Sequence, residues 1–181
     1  MSATADELQS GLDRVRRSPS TDGTVELIVR GPAVDEREVV DEAELDVAAG
    51  LVGDTWLERG SRATEDGSAN PKAQLTVMNA RLVDLVAGRR ERWPLAGDQL
   101  FVDLDLSKEN VPPGTRLALG TAVIEATDDP HTGCAKFSAR FGSDALRFIN
   151  SLQGRALQLR GINARVVTAG RIRPGDAIRK L

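Results

Sequence analysis

Leu100-Phe101-Val102-Asp103-Leu104-Asp105-Leu106 alternates strictly, with Leu100, Val102, Leu104 and Leu106 on one face and Phe101, Asp103 and Asp105 on the other. A period of two is the signature of a strand with one buried face. Pro112-Pro113-Gly114-Thr115 follows as a turn. Arg116-Leu117-Ala118-Leu119 and Thr121–Ala126 then form a hairpin across Gly120. Several short strands separated by turns at close intervals are the pattern of an all-β sandwich or barrel.

Working outward, one turn device recurs. Gly53-Asp54, Gly97-Asp98, Gly114-Thr115 and Gly175-Asp176 each adjoin a strand-like run. Glycine admits positive φ, and Asp or Thr bonds a nearby backbone N–H. The spacing is irregular, so these are turn signals and not a repeat. Further strands are expected at Thr24–Arg30, Val39–Ala48, Ala73–Val77, Ala156–Leu159, Ala164–Thr168 and Ala177–Lys180. Leu82, Val83, Leu85 and Val86 give one apolar helix face after Asn79, whose side chain suits an N-cap, with Gly88 at its exit. Ser143 is expected to cap a second helix with Leu146, Ile149 and Leu152 inward and Gly154 at its end. Leu8, Leu12 and Val15 form a sparse helical stripe within Ala5–Arg17, followed by the break Ser18–Gly23. Residues 1–23 therefore read as a helix and linker, either loosely docked or reaching a partner, and 24–181 as one mainly β domain with a few helices. The fold expected is a closed or partly open β-barrel.

Composition narrows the chemistry. The 181 residues contain one cysteine, one histidine and no tyrosine, and only 3% are aromatic. The core must be built from Val, Leu, Ile and Ala. One cysteine excludes an internal disulfide, and one Cys with one His argues against a four-ligand structural zinc site. Met1–Leu12 lacks the apolar centre of a signal peptide, and no run approaches a membrane span, so a cytoplasmic protein is expected. The net charge is −3, but from His131 onward ten Lys/Arg face only Asp144 and Asp176. This asymmetry suggests a small anionic ligand, although solvated strand faces account for it equally well. No basic cluster interleaved with aromatics points to nucleic acid. A Rossmann fingerprint, a Walker loop and a Gly-x-Ser-x-Gly elbow are also absent.

The single cysteine and the single histidine occur together, in Pro130-His131-Thr132-Gly133-Cys134-Ala135-Lys136-Phe137. A thiolate needs cations or backbone N–H groups beside it at neutral pH. His131, Lys136 or a helix start after Cys134 would each supply that. The plainer reading is that a lone intracellular cysteine is a small buried hydrophobe. Against it, Pro-His-Thr-Gly reads as a loop and not as a core strand.

These segments together resemble the MOSC family, the domain found at the C-terminus of molybdenum cofactor sulfurases. The resemblance runs through Gly50–Asp54, Ala73–Val77, Ala96–Leu100, Lys108-Glu109-Asn110, Pro113–Leu117, Pro130–Phe137, Arg160–Val166 and Pro174–Asp176, over about residues 50–181. It implies a barrel of the MOSC and pyruvate-kinase-barrel kind. It also implies that Cys134 carries sulfur as a persulfide or meets the metal of a molybdenum–pterin cofactor. On that reading His131 and Lys136 would stabilise the sulfur anion, while Thr132, Gly133, Arg140, Arg160 and Asn163 would hold the cofactor and its phosphate. Many relatives carry Pro-Arg-x-Pro before the cysteine, where this chain has His131-Thr132-Gly133. The pyridoxal-phosphate half of the fused relatives is absent, so a separate sulfur donor such as a cysteine desulfurase would load the thiol. Two other readings stay open: an anion- or cofactor-binding module with an inert Cys134, and a thiol redox sensor lacking a resolving cysteine.

Overall fold

The computed structural model describes residues 1–181. Eleven strands form in chain order: β1 (Asp22–Arg30), β2 (Glu38–Val40), β3 (Ala43–Asp46), β4 (Gly50–Leu51), β5 (Leu75–Asn79), β6 (Leu100–Asp103), β7 (Arg116–Leu119), β8 (Ala122–Ala126), β9 (Ile162–Thr168), β10 (Gly170–Ile172) and β11 (Ala177–Lys180). The order β11-β7-β8-β9-β5-β6-β1 closes on itself, because the first residues of β1 pair with β11. The result is a closed seven-stranded barrel in which only the β5–β6 pair is parallel. β2 extends from the far end of β1, and β10-β3-β4 make a separate small sheet.

The strictly alternating stretch is the barrel wall. Leu100, Val102, Leu104 and Leu106 point into an aliphatic interior with Leu117, Leu119, Ile124, Ala164, Val166 and Ile178. Phe101 points outward into a second core beneath the helices. β1 departs from simple alternation. Its register against β6 shifts between Val25 and Leu27, so Val25 and Ile28 face inward while Leu27 and Val29 face the helices. A bulge adds one residue and inverts the parity of the rest of the strand. This single strand therefore serves both cores.

Six helices lie outside the barrel: α1 (Ala5–Arg16), α2 (Trp56–Arg59), α3 (Ala80–Ala87), α4 (Ala135–Phe141), α5 (Ser143–Asn150) and α6 (Leu152–Ala156). In α3 the Asn79 side chain accepts from Leu82 N–H, and Gly88 ends the helix in the left-handed conformation. α1 begins with a reciprocal capping box between Thr4 and Glu7. Its Leu8, Leu12 and Val15 are buried in the second core with Val83, Val86 and Phe141, so the helix is packed in place and does not stand off as an arm.

Several local expectations differ. Val39–Ala48 is two short strands, β2 and β3, and not one. Ser143 is not a cap: Gly142 occupies the N-cap of α5, at φ 95°. Gly154 does not end that helix. It is buried within α6, where a side chain would collide with the carbonyl oxygen of Phe148. Leu152 is 89% exposed, because the break at Ser151 rotates it off the inward face. Ala156–Leu159 is no strand. It is the end of α6 and the turn after it, with Gln158 at φ 48° and its side-chain amide donating to Leu106 C=O at 2.6 Å.

Candidate functional site

The segment between β8 and α4 carries the thiol. Cys134 has extended backbone angles and is the N-cap residue of α4. Its thiol is free and exposed, so it is not a core hydrophobe. Asn150, at the end of α5, clamps the approach to it. The Asn150 side chain accepts from Gly133 N–H at 3.0 Å and donates to Gly133 C=O at 3.2 Å. Gly133 fits this clamp because it has no side chain: a Cβ there would stand 2.6 Å from Ile149 Cδ1 and 2.7 Å from Leu146 Cδ1. The second core thus fixes where the thiol emerges.

Partial burial of the thiol pushes its pKa up. The N–H groups of Phe137 and Lys136, then the charges of Arg160 and Lys136, pull it down further, and the net position is below that of an ordinary cysteine. No N–H completes a full hydrogen bond to Sγ, so the stabilisation comes from close N–H dipoles and charge. Lys136 is largely exposed and also faces Asp35 at 3.7 Å, so its contribution is screened by solvent. Arg160 is the more effective cation, because it is buried beneath the Phe137 ring at 5.2 Å.

Arg160 is held by a residue that reads in the sequence only as part of a turn. Asp98 is fully buried, and its Oδ2 accepts from Arg160 Nη1 at 2.6 Å. Arg160 Nη2 also donates to Ala96 C=O at 2.9 Å. His131 completes the cluster, with Nδ1 3.6 Å from Asp98 Oδ1. Burial lowers the His131 pKa to about 4, Asp98 opposing and Arg160 reinforcing the shift. At neutral pH the ring is therefore uncharged. The expectation that His131 is a cation beside the sulfur is not met, because desolvation outweighs its carboxylate partner.

Beside the cluster lies a hollow of about 700 Å³. His131, Thr132, Asn150, Gln158 and Arg160 line it, with Asp128 and Asp129 from the loop after β8 and with Lys108 and Arg155. Its size suits a small molecule or cofactor. Cys134 stands next to this hollow in sequence but is not part of its lining. A smaller recess of about 80 Å³, lined by Arg37, Arg59, Asp54 and Gln99, reaches Asp98 as well.

The expected phosphate residues do not all line the hollow. Arg160 lines the hollow and Arg140 does not, although Arg140 donates to Leu95 C=O at 2.7 Å, beside the Ala96 C=O that Arg160 holds. Asn163 is buried in β9 and donates to Asp129 C=O at 3.0 Å. Lys108 and Arg155, which sequence reasoning missed, line the hollow and form no ion pair. Lys108 falls in the family-like segment Lys108-Glu109-Asn110, and Arg155 had no signal beyond the basic character of the C-terminal part. Much of that character is spent internally. Arg165 meets Glu125, Arg171 and Arg173 meet Glu42, and Arg179 meets Asp22.

No group of three or more His, Cys, Asp or Glu side chains is placed to hold a metal ion by itself, and no helix is long and apolar enough to cross a membrane. Among solved structures the chain is similar to YuaD from Bacillus subtilis, at 16% identity and TM-score 0.65, over 87% of this chain and 94% of that one. It is similar to YiiM from Geobacillus stearothermophilus at 15% identity and TM-score 0.57, over 88% and 75%. It is also similar to YiiM from Escherichia coli at 18% identity and TM-score 0.55, over 87% and 69%. At these identities the likeness is one of fold. No curated protein sequence matches the chain. The family model that matches, over residues 64–179, is the MOSC domain, and it takes in the barrel strands from β5 to β11, the thiol segment, Asp98 and Arg160: the chain belongs to the MOSC domain family.

Proposed function

We propose that the protein handles sulfur or a molybdenum–pterin cofactor through Cys134, acting as an exposed, stabilised thiolate three residues along the chain from His131, which lines the 700 Å³ hollow. The observation that carries this reading is the thiol itself. It is reachable, its pKa is lowered, and the cation that contributes most securely is buried and braced by a carboxylate.

A molybdenum–pterin cofactor fits this donor set in two respects. A lone thiolate is a soft ligand of the kind such a metal accepts, and the remaining ligands would come from the cofactor itself. Lys108 and Arg155, free of carboxylates, would hold its phosphate, with Arg160 behind them. When bound, the metal centre would supply redox or sulfur-transfer chemistry. The chain itself places one thiolate and orients it through α4 and Asn150. A second reading, a persulfide carrier, draws support from the solvent exposure of Cys134, which lets a donor protein such as a cysteine desulfurase and an acceptor reach the same atom. In that case the thiolate attacks a sulfane sulfur of the donor's persulfide. An S–S bond forms on Cys134 and the donor thiolate departs, with no external oxidant needed.

Intact-mass analysis of anaerobically purified protein, before and after a sulfane-sulfur donor, tests both forms when molybdenum is measured in the same sample. The reading predicts either an added sulfur atom or bound molybdenum, and loss of either in Cys134→Ala. A wild-type protein that takes up neither would leave an anion-binding module with an inert cysteine.

A further inference from the structure

Four buried side-chain polar atoms lack a hydrogen-bond partner, and three of them are in one cluster: Asp98 Oδ1, His131 Nδ1 and Arg160 Nε. Buried polar atoms are nearly always paired, so such a concentration needs a physical account. Asp98 Oδ1 and His131 Nδ1 face each other at 3.6 Å, and both are sealed from solvent. A carboxylate oxygen only accepts. If Nδ1 were unprotonated, two acceptors would confront each other out of reach of solvent, which is costly. With the hydrogen on Nδ1, the same pair becomes a donor aimed at an acceptor.

The other ring nitrogen is in a different position. Nε2 is not among the sealed atoms, the His131 side chain keeps 16% of its exposure, and His131 is one of the residues that line the 700 Å³ hollow. In a neutral imidazole, one nitrogen donates and the other accepts. We infer that Asp98 is a positioning residue that locks His131 in the Nδ1–H form, so that Nε2 stands in the hollow as a hydrogen-bond acceptor and selects a small anion that also brings an O–H or N–H donor. Lys108 and Arg155 supply the attraction for the negative group, and Nε2 reads the proton. Burial favours the uncharged ring that this arrangement requires. The inference deepens the site proposed above, but none of its readouts involves Cys134, sulfur transfer or molybdenum, so either can fail alone.

The single histidine makes the test direct, because the imidazole nitrogens of ¹⁵N-labelled protein give one pair of resonances. At pH 7 the wild type should show a protonated-type Nδ1 and an unprotonated-type Nε2. An Nε2–H form, or two forms of similar weight, would overturn the inference. Asp98→Asn supplies the second arm. The Asn carbonyl must face the Arg160 guanidinium, which leaves its NH₂ toward Nδ1, so the ring should switch to Nε2–H. A folded variant with an unchanged ring would remove Asp98 from the role, and if the variant does not fold, the wild-type spectrum still decides. Inorganic phosphate, which carries an O–H at pH 7, and sulfate, which does not, are the ligand probes. Phosphate should bind the wild type about five- to tenfold more tightly, the value of one net hydrogen bond, and shift the Nε2 resonance. Sulfate binding as well as phosphate, or neither anion moving that resonance, would overturn the selection step.

Discussion

At the scale of single residues, the site is governed by Asp98, a carboxylate enclosed among Arg160, His131 and backbone. Burial of His131 beside it has a consequence for stability. The folded ring titrates at about 4, against 6.5 in the unfolded chain. Between those values the unfolded chain binds a proton that the folded one does not, so stability rises with pH. The contribution is fully present above pH 6.5 and is lost as pH falls toward 4, at most about 3 kcal/mol. Urea unfolding of wild type and His131→Gln at pH 7 and pH 4.5 isolates it, since other groups titrate in both proteins. The wild type should lose more stability than the variant over that interval, and equal losses would contradict a buried neutral His131. Cys134 and His131 could be picked out in the sequence because each is unique. Asp98 could not, since Gly-Asp reads as a turn whether the carboxylate faces solvent or an arginine 62 positions away. The same limit applies to Arg140 and Asn163, as residue type alone does not say which backbone group a side chain has engaged.

At the scale of elements, the thiol is aimed by three short pieces: the Pro130–Cys134 segment, α4, and the end of α5. Asn150 ties the first to the last. Asn150→Ala should cost about 1–3 kcal/mol by leaving two partly buried backbone groups unpaired. It should also accelerate amide exchange at Gly133 well beyond the change in global stability. Exchange at Gly133 that only tracks global unfolding would show that the clamp is not what holds the segment. Elements with a clean period were legible, as in β6, β7, β8 and α3. Residues 151–161 were not. Leu-Gln-Gly-Arg-Ala-Leu-Gln-Leu fits the end of a helix and a strand equally well, and only the Ser151 cap and the left-handed Gln158 decide between them.

At the scale of the molecule, two cores share one wall. The barrel interior is aliphatic, while the outer core gathers Trp93, Phe101, Phe137 and Phe141 beneath α1, α3, α4 and α5. The sparse stripe Leu8, Leu12, Val15 suggested a weakly held helix, but burial depends on what a face meets, and here it meets the helices that carry the thiol. Leu12→Ala should therefore cost about 2–5 kcal/mol, as for a buried core leucine, measured by chemical unfolding. A change within about 0.5 kcal/mol, as at an exposed site, would mean that α1 is peripheral. Barrel closure, the pairing of residues 22–24 with 177–179, was foreseeable only as a class of fold, because long-range pairing leaves no local mark.

Everything proposed for function turns on the ionisation of one sulfur, and the lone cysteine permits it to be read without interference. The measurement is the alkylation rate of Cys134 against pH, in wild type and in Arg160→Met. An apparent pKa below the ~8.5 of free cysteine, moving upward in the variant, is the predicted result. An apparent pKa at or above that of free cysteine, unmoved by loss of the guanidinium, would contradict it.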